Sequence, residues 1–102
     1  MAGGAEHANL VLAAQTGDPA ALTRLLAVCQ ADARRYARRH CLASDVDDAV
    51  QESLLTIARK VSGLKAAAAF SSWLFVVIRR ECRRLELMMF RHEPLDDEVA
   101  EQ

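Results

Sequence analysis

Between positions 19 and 40 the side chains Leu22, Leu25, Leu26, Cys29, Ala33, Tyr36 and Ala37 recur at steps of three and four, the period that lines one side of an α-helix. Arg34, Arg35, Arg38 and Arg39 fall largely on its other faces. A second stripe, Val46, Val50, Leu54, Ile57 and Val61, with Ala49 and Ala58 beside it, predicts a helix that Ser62 and Gly63 end. A third stripe, Phe70, Leu74, Val77, Ile78, Cys82 and Leu85, predicts a helix from about position 67 to 89, with Glu81 on the same arc and no pattern to account for it. The shorter apolar segment at 9–15 predicts one or two helical turns.

Local signals punctuate these stripes. Gly17, Asp18 and Pro19 read as a helix stop followed by a helix start, with Gly at C′, Asp as N-cap and Pro at the first helical position. Ser44 with Asp47 three residues on resembles a capping box with a short acid, so the next helix is expected to start at Asp45. The expected fold is all-α: a compact domain of about four helices over residues 8–92, followed by an acidic linker or tail at 93–102. There is no internal repeat.

Composition agrees. Four glycines, two prolines and 5% aromatic residues leave helix formers in excess of strand formers. In 102 residues a hydrophobic content of 52% suffices for one small core without disulfides or metal. The strongest run of large apolar side chains, Trp73 to Ile78, is far short of the ~20 residues that cross a bilayer. The first seven residues lack the basic and apolar regions of a secretory signal, which makes a cytoplasmic protein the expectation. Cys29, Cys41 and Cys82 are widely spaced and odd in number, so they are expected to be reduced, mostly buried thiols.

The net charge of −1 hides an uneven distribution. All 13 lysines and arginines lie before residue 92, against nine acids there, a balance of +4; the last ten residues carry the other five acids. The chain therefore reads as a mildly basic domain with an acidic end.

Two surfaces carry candidate function. On the helix beginning near position 45, Asp48, Gln51, Glu52 and Leu55 share the face opposite the core stripe. Acids in a first turn favour the helix dipole and require no partner, but an apolar centre with a polar rim is also how a protein-binding patch is built. On the last helix Arg79, Arg80, Arg83 and Arg84 lie on one arc away from the core, with Trp73 beside them. Arginines pair with phosphates and Trp offers a stacking surface to an unpaired base; a solvated basic face is the plain alternative. Phe75 projects elsewhere, toward packing. His40, His92 and the cysteines have no metal-ligand spacing, no His or acid is placed to activate a Cys nucleophile, and there is no glycine-rich phosphate loop. Neither an enzyme nor a cofactor is expected.

In chain order, Gly17-Asp18 with Ala21-Leu22 and Leu25-Leu26, then Asp48-Ala49-Val50-Gln51-Glu52, then Phe70-Ser71-Ser72-Trp73-Leu74-Phe75 resemble region 2 of the extracytoplasmic-function sigma factors, over about residues 10–87. The resemblance implies a helical, non-enzymatic domain that binds the clamp helices of the largest RNA polymerase subunit and recognises and opens the minus-ten promoter element. Asp48, Gln51 and Glu52, with Leu55 as neighbour, would be polymerase contacts. The connector at 62–69, with Lys65, would match the loop that accepts a flipped promoter base, and Trp73, Arg79, Arg80, Arg83 and Arg84 would lie near the non-template strand. An anti-sigma protein is a further implied partner. The chain departs from the family in having Arg80, Arg84 and Leu87 where an Asn, then an Asp and an Arg, are common, so promoter preference does not carry over. It also ends at Gln102 without the domain that reads the minus-thirty-five element, and the acidic end resembles an interdomain linker, so a fragment of a longer factor is expected. The rival reading is a helical protein-interaction module with no DNA role.

Overall fold

The computed structural model describes residues 4–92; the expected acidic linker or tail at 93–102 lies outside the described residues. Four helices follow one another: α1 (Gly4–Gln15), α2 (Pro19–His40), α3 (Val46–Lys60) and α4 (Phe70–His92). Single 3-10 turns at Ala43–Asp45, Val61–Gly63 and Ala67–Ala69 occupy the connections. The all-α expectation holds, and no strand occurs among the described residues. No described helix is long and apolar enough to cross a membrane.

The start of α2 follows its sequence signals. Asp18 Oδ1 accepts from the backbone N–H groups of Ala20 at 3.0 Å and Ala21 at 3.4 Å, which satisfies two donors that the first helical turn leaves open. Pro19 needs no such partner, and Gly17 takes the left-handed φ of +96° that reverses the chain after α1. The start of α3 departs from expectation. A 3-10 turn precedes it, Asp45 is its N-cap, and no side chain caps it. The capping box does not form; the Asp47 carboxylate instead accepts from Arg34 Nη1 at 2.6 Å and so ties α3 to α2.

α2 touches each of the other three helices, and α4 completes the bundle by packing on α1 and α3. Leu25, Cys29, Ala33, Val50, Ile57, Phe70, Leu74 and Ile78 form the fully buried centre. Leu22, Leu26, Tyr36, Leu54 and Leu85 pack around its edge and stay half-buried. α1 is longer than its apolar pattern suggests, because His7 is buried edge-on against Phe70 and its Nδ1 lies 3.3 Å from Ser71 Oγ. A histidine contributes no apolar signal to a stripe, so this first turn was not legible as packed. Val11 closes the core from the same helix. Glu81, unexplained by pattern, accepts from Arg84 Nε at 2.9 Å at the edge of the core.

The expectation of three reduced thiols is corrected. Cys41, which caps the C-terminus of α2, and Cys82, in the middle of α4, form a disulfide across Cα atoms 4.8 Å apart. Only Cys29 remains a free thiol, fully buried. The two bonded cysteines are 41 residues apart, and only the packing of α2 on α4 brings them together.

Candidate nucleic-acid and protein interfaces

The face of α3 turned away from the core carries Asp48, Gln51, Glu52, Leu55 and Arg59, all exposed. From Asp48 to Arg59 this face runs about 16 Å along the helix axis. Leu55 is 44% exposed, an apolar side chain with polar neighbours on each side. Asp48 and Glu52 form no ion pair among the described residues. They stand four residues apart, the spacing at which like charges on a helix repel by a few tenths of a kcal/mol. Asp47, one position before, is neutralised by Arg34 instead. The structure thus leaves two unpaired carboxylates around one exposed leucine, a surface that a basic and apolar partner would relieve on both counts.

At the far end of α3 the chain turns through Val61–Gly63 and encloses an open recess of about 490 Å³. Its lining is Arg59, Lys60, Ser62, Gly63, Leu64, Lys65 and Trp73. Three cations and an indole therefore converge where the connector meets α4. Gln15 fixes the shape of this turn from the other side: its Nε2 donates to the carbonyls of Val61 at 2.9 Å and Leu64 at 2.8 Å. Trp73 stands at the core edge, edge-on to Phe70 with ring centroids 5.9 Å apart, and is half-buried, so its position is set by packing while part of its surface remains open.

The four arginines of α4 divide into two strips. At 100° per residue, Arg80 and Arg84 lie within about 20° on either side of Trp73, whereas Arg79 and Arg83 lie about 80–120° away, toward α2. Arg79 Nη2 donates to Tyr36 Oη at 2.8 Å. Arg84 is held by Glu81 and by Met88 Sδ at 3.2 Å. Arg80 and Arg83 are exposed and make no hydrogen bond among the described residues, which leaves both guanidinium groups able to pair with phosphate. Phe75 stacks on Tyr36 with centroids 4.5 Å apart, on the same side of α4 as Arg79 rather than apart from the arginines, and keeps an exposed edge; Tyr36 also meets His40 at 4.2 Å.

Lys65 and Trp73, picked out by sequence, thus share a recess, and Asp48, Gln51, Glu52 and Leu55 share a face. The arginines share the exposed side of α4, in two strips that differ in how far they are already engaged. Sequence reading missed Arg59 and Lys60 as members of the recess. The available signal was their place in the last turn of α3, directly before Gly63. It also missed Gln15, for which no local signal exists, since its partners lie 46 and 49 residues away. Among the described residues no group of three His, Cys, Asp or Glu side chains is placed to hold a metal ion.

Residues 25–86 match the family model of Sigma-70 region 2. No curated protein and no solved structure gives a significant match to the chain. The matched segment begins inside α2, ends inside α4 and includes the exposed face of α3, the recess and all four α4 arginines. Covering more than half of the 102 residues, it shows that the chain belongs to the Sigma-70 region 2 family, the helical, non-catalytic domain of sigma factors in transcription initiation.

Proposed function

We propose that this domain docks on core RNA polymerase through Asp48, Gln51, Glu52 and Leu55 of α3, and that the recess and the arginine side of α4 capture and help hold open the minus-ten promoter strand. Within sigma factors it belongs to the extracytoplasmic-function type, on the Gly17-Asp18 start, the Asp48 to Glu52 segment and the Phe70 to Phe75 segment. The observation that carries the DNA role is the recess: Arg59, Lys60, Lys65 and Trp73 converge in a concavity of about 490 Å³. Cations can pair with the backbone of an unpaired strand while an indole stacks on a base, and a base turned out of the duplex needs such a pocket. Arg80 and Arg83 continue this positive surface along α4. The polymerase clamp helices would bury Leu55 and neutralise Asp48 and Glu52, while promoter specificity would come from contacts within the recess.

Two measurements test the two halves separately. In a pull-down with core polymerase, Asp48→Arg and Glu52→Arg are expected to weaken retention about tenfold or more, the scale of turning attraction into repulsion at an interface. Retention equal to wild type would remove the polymerase-docking role from α3 and favour the rival reading, a helical protein-interaction module with another partner and no DNA role. In capture of single-stranded minus-ten DNA by the assembled polymerase complex, Arg80→Glu and Arg83→Glu are expected to weaken binding while retention on polymerase is unchanged. Undiminished capture would remove α4 from the DNA-binding surface.

A further inference from the structure

The Cys41–Cys82 bond joins two residues of unlike exposure. Cys41 is half-buried at the C-cap of α2, whereas Cys82 is 4% exposed beneath it on α4. Of the two bonded residues, Cys41 is the one with surface open to solvent, so it is the side from which an incoming thiolate approaches. The charges near the bond along the chain are mixed with a basic excess: Arg38 and Arg39 lie in the last turn of α2 before Cys41 and Arg79 and Arg83 lie beside Cys82 on α4, against Asp45 after Cys41 and Glu81 and Glu86 around Cys82, of which Glu81 is paired with Arg84. Partial exposure beside positive charge is the setting in which cysteine sulfurs react, because it favours both an incoming anionic thiolate and a leaving one. Cys29 shows the opposite case: it is fully buried, its thiol is pushed up to about 11 by burial, and it has no second cysteine within bonding reach.

We infer that Cys41 and Cys82 are a reversible thiol-exchange site, with Cys41 the entry point for a low-molecular-weight anionic thiol such as glutathione and Cys82 the resolving thiol. In the reducing direction a glutathione thiolate attacks Cys41 Sγ, the S–S bond breaks, and Cys82 leaves as a thiolate that takes up a proton. A second glutathione thiolate then attacks the glutathione sulfur of this mixed disulfide, releasing glutathione disulfide and the Cys41 thiolate, which takes up a proton. The protein gains two electrons and two protons, and two glutathione molecules lose them. In the oxidising direction glutathione disulfide adds one glutathione to Cys41, and the Cys82 thiolate expels it as the intramolecular bond closes.

The bond has a structural consequence for the face proposed to bind DNA. From Phe75 to Cys82 about two turns of α4 are held on α2, first by the Tyr36 and Phe75 rings, then by the Arg79 to Tyr36 hydrogen bond, and finally by the disulfide. Arg83 and Arg84 follow directly after that last attachment. Opening the bond removes that last attachment to α2 and leaves Leu85 and the α3 contacts to hold the segment that carries them, so the redox state sets how firmly this part of the arginine surface is presented. The exchange itself depends on the two cysteines alone and stands whether or not the promoter-binding assignment does.

The test equilibrates the full chain in native buffers spanning reduced to oxidised glutathione, quenches with acid, alkylates free thiols and reads each cysteine by peptide mass. Cys41 and Cys82 are expected to pass from bonded to alkylated together, with Cys29 protected until the protein is denatured. Cys82→Ser is expected to trap glutathione on Cys41, and Cys41→Ser to leave Cys82 unmodified. The wild-type melting temperature is expected to fall by roughly 10 °C or more on reduction, with Cys41→Ser indifferent to the buffer. A bond that persists natively at the most reducing ratio would make the pair a permanent staple, and free thiols at the most oxidising ratio would remove the site; either result overturns the inference. Because these readouts use the chain and its cysteine variants without polymerase or DNA, they separate a failed exchange from a failed functional assignment.

Discussion

Cys29 has no accessible surface, and its Sγ donates a long hydrogen bond to the Leu26 carbonyl at 3.7 Å. Burial disfavours the thiolate and pushes the thiol from the ordinary 9.0 to about 11, with the Asp32 carboxylate adding in the same direction and the backbone contact opposing. A thiol that holds its proton longer in the folded state than in the unfolded one stabilises the fold fully below pH 9. That contribution is lost as pH rises from about 9 to about 11, because the unfolded chain releases the proton first. Denaturation across this window is expected to show a loss on the order of 2 kcal/mol attributable to Cys29. The measurement is the difference in pH slope between wild type and Cys29→Ala, which isolates this one thiol. Equal slopes would mean that the buried thiol ionises as freely as an exposed one.

The helices differ in how much of their placement their own residues encode. The start of α2 was readable because Gly17, Asp18 and Pro19 act on backbone groups within three residues of themselves. The start of α3 was misread because the carboxylate needed to complete the capping box, Asp47, is claimed by Arg34 from another helix. Core stripes were readable as faces, but their half-buried edges at Leu22, Leu54 and Leu85 depend on where neighbouring helices end. The candidate site divides in the same way. The exposed face of α3 follows from helical period alone, whereas the recess needs α1, α3 and α4 brought together, and the engagement of Arg79 needs Tyr36 on α2. The brace from Gln15 is the element-scale contact most open to test. Gln15→Leu removes two side-chain hydrogen bonds to the connector and is expected to cost about 1–2 kcal/mol of stability. If the recess must be pre-shaped to accept a base, strand capture is expected to fall roughly fivefold while retention on polymerase stays unchanged. Stability that falls without any loss of capture would make the recess shape irrelevant to binding.

At the scale of the molecule, one small bundle separates two surfaces of opposite sign. Asp48 and Glu52, without an ion pair among the described residues, stand near the start of α3, while Arg59, Lys60 and Lys65 gather at its end and Arg80 and Arg83 extend the basic surface along α4. A net charge of −1 gives such a chain little attraction for DNA at long range, so DNA affinity has to come from a few direct contacts in an assembled complex rather than from the field of the free protein. That makes the salt dependence of capture a count of those contacts. Each phosphate neutralised on a single strand contributes about 0.7 to the slope of log affinity against log salt. If Arg80 and Arg83 each neutralise one phosphate, the Arg80→Gln, Arg83→Gln double variant in the assembled complex is expected to lower the slope by about 1.4 relative to wild type. Glutamine rather than glutamate is the informative replacement here, because it removes the contact without adding a repulsive charge of its own. A variant that binds more weakly with an unchanged slope would place the loss in folding or in base contacts, and would require the phosphate-pairing role of these two arginines to be withdrawn.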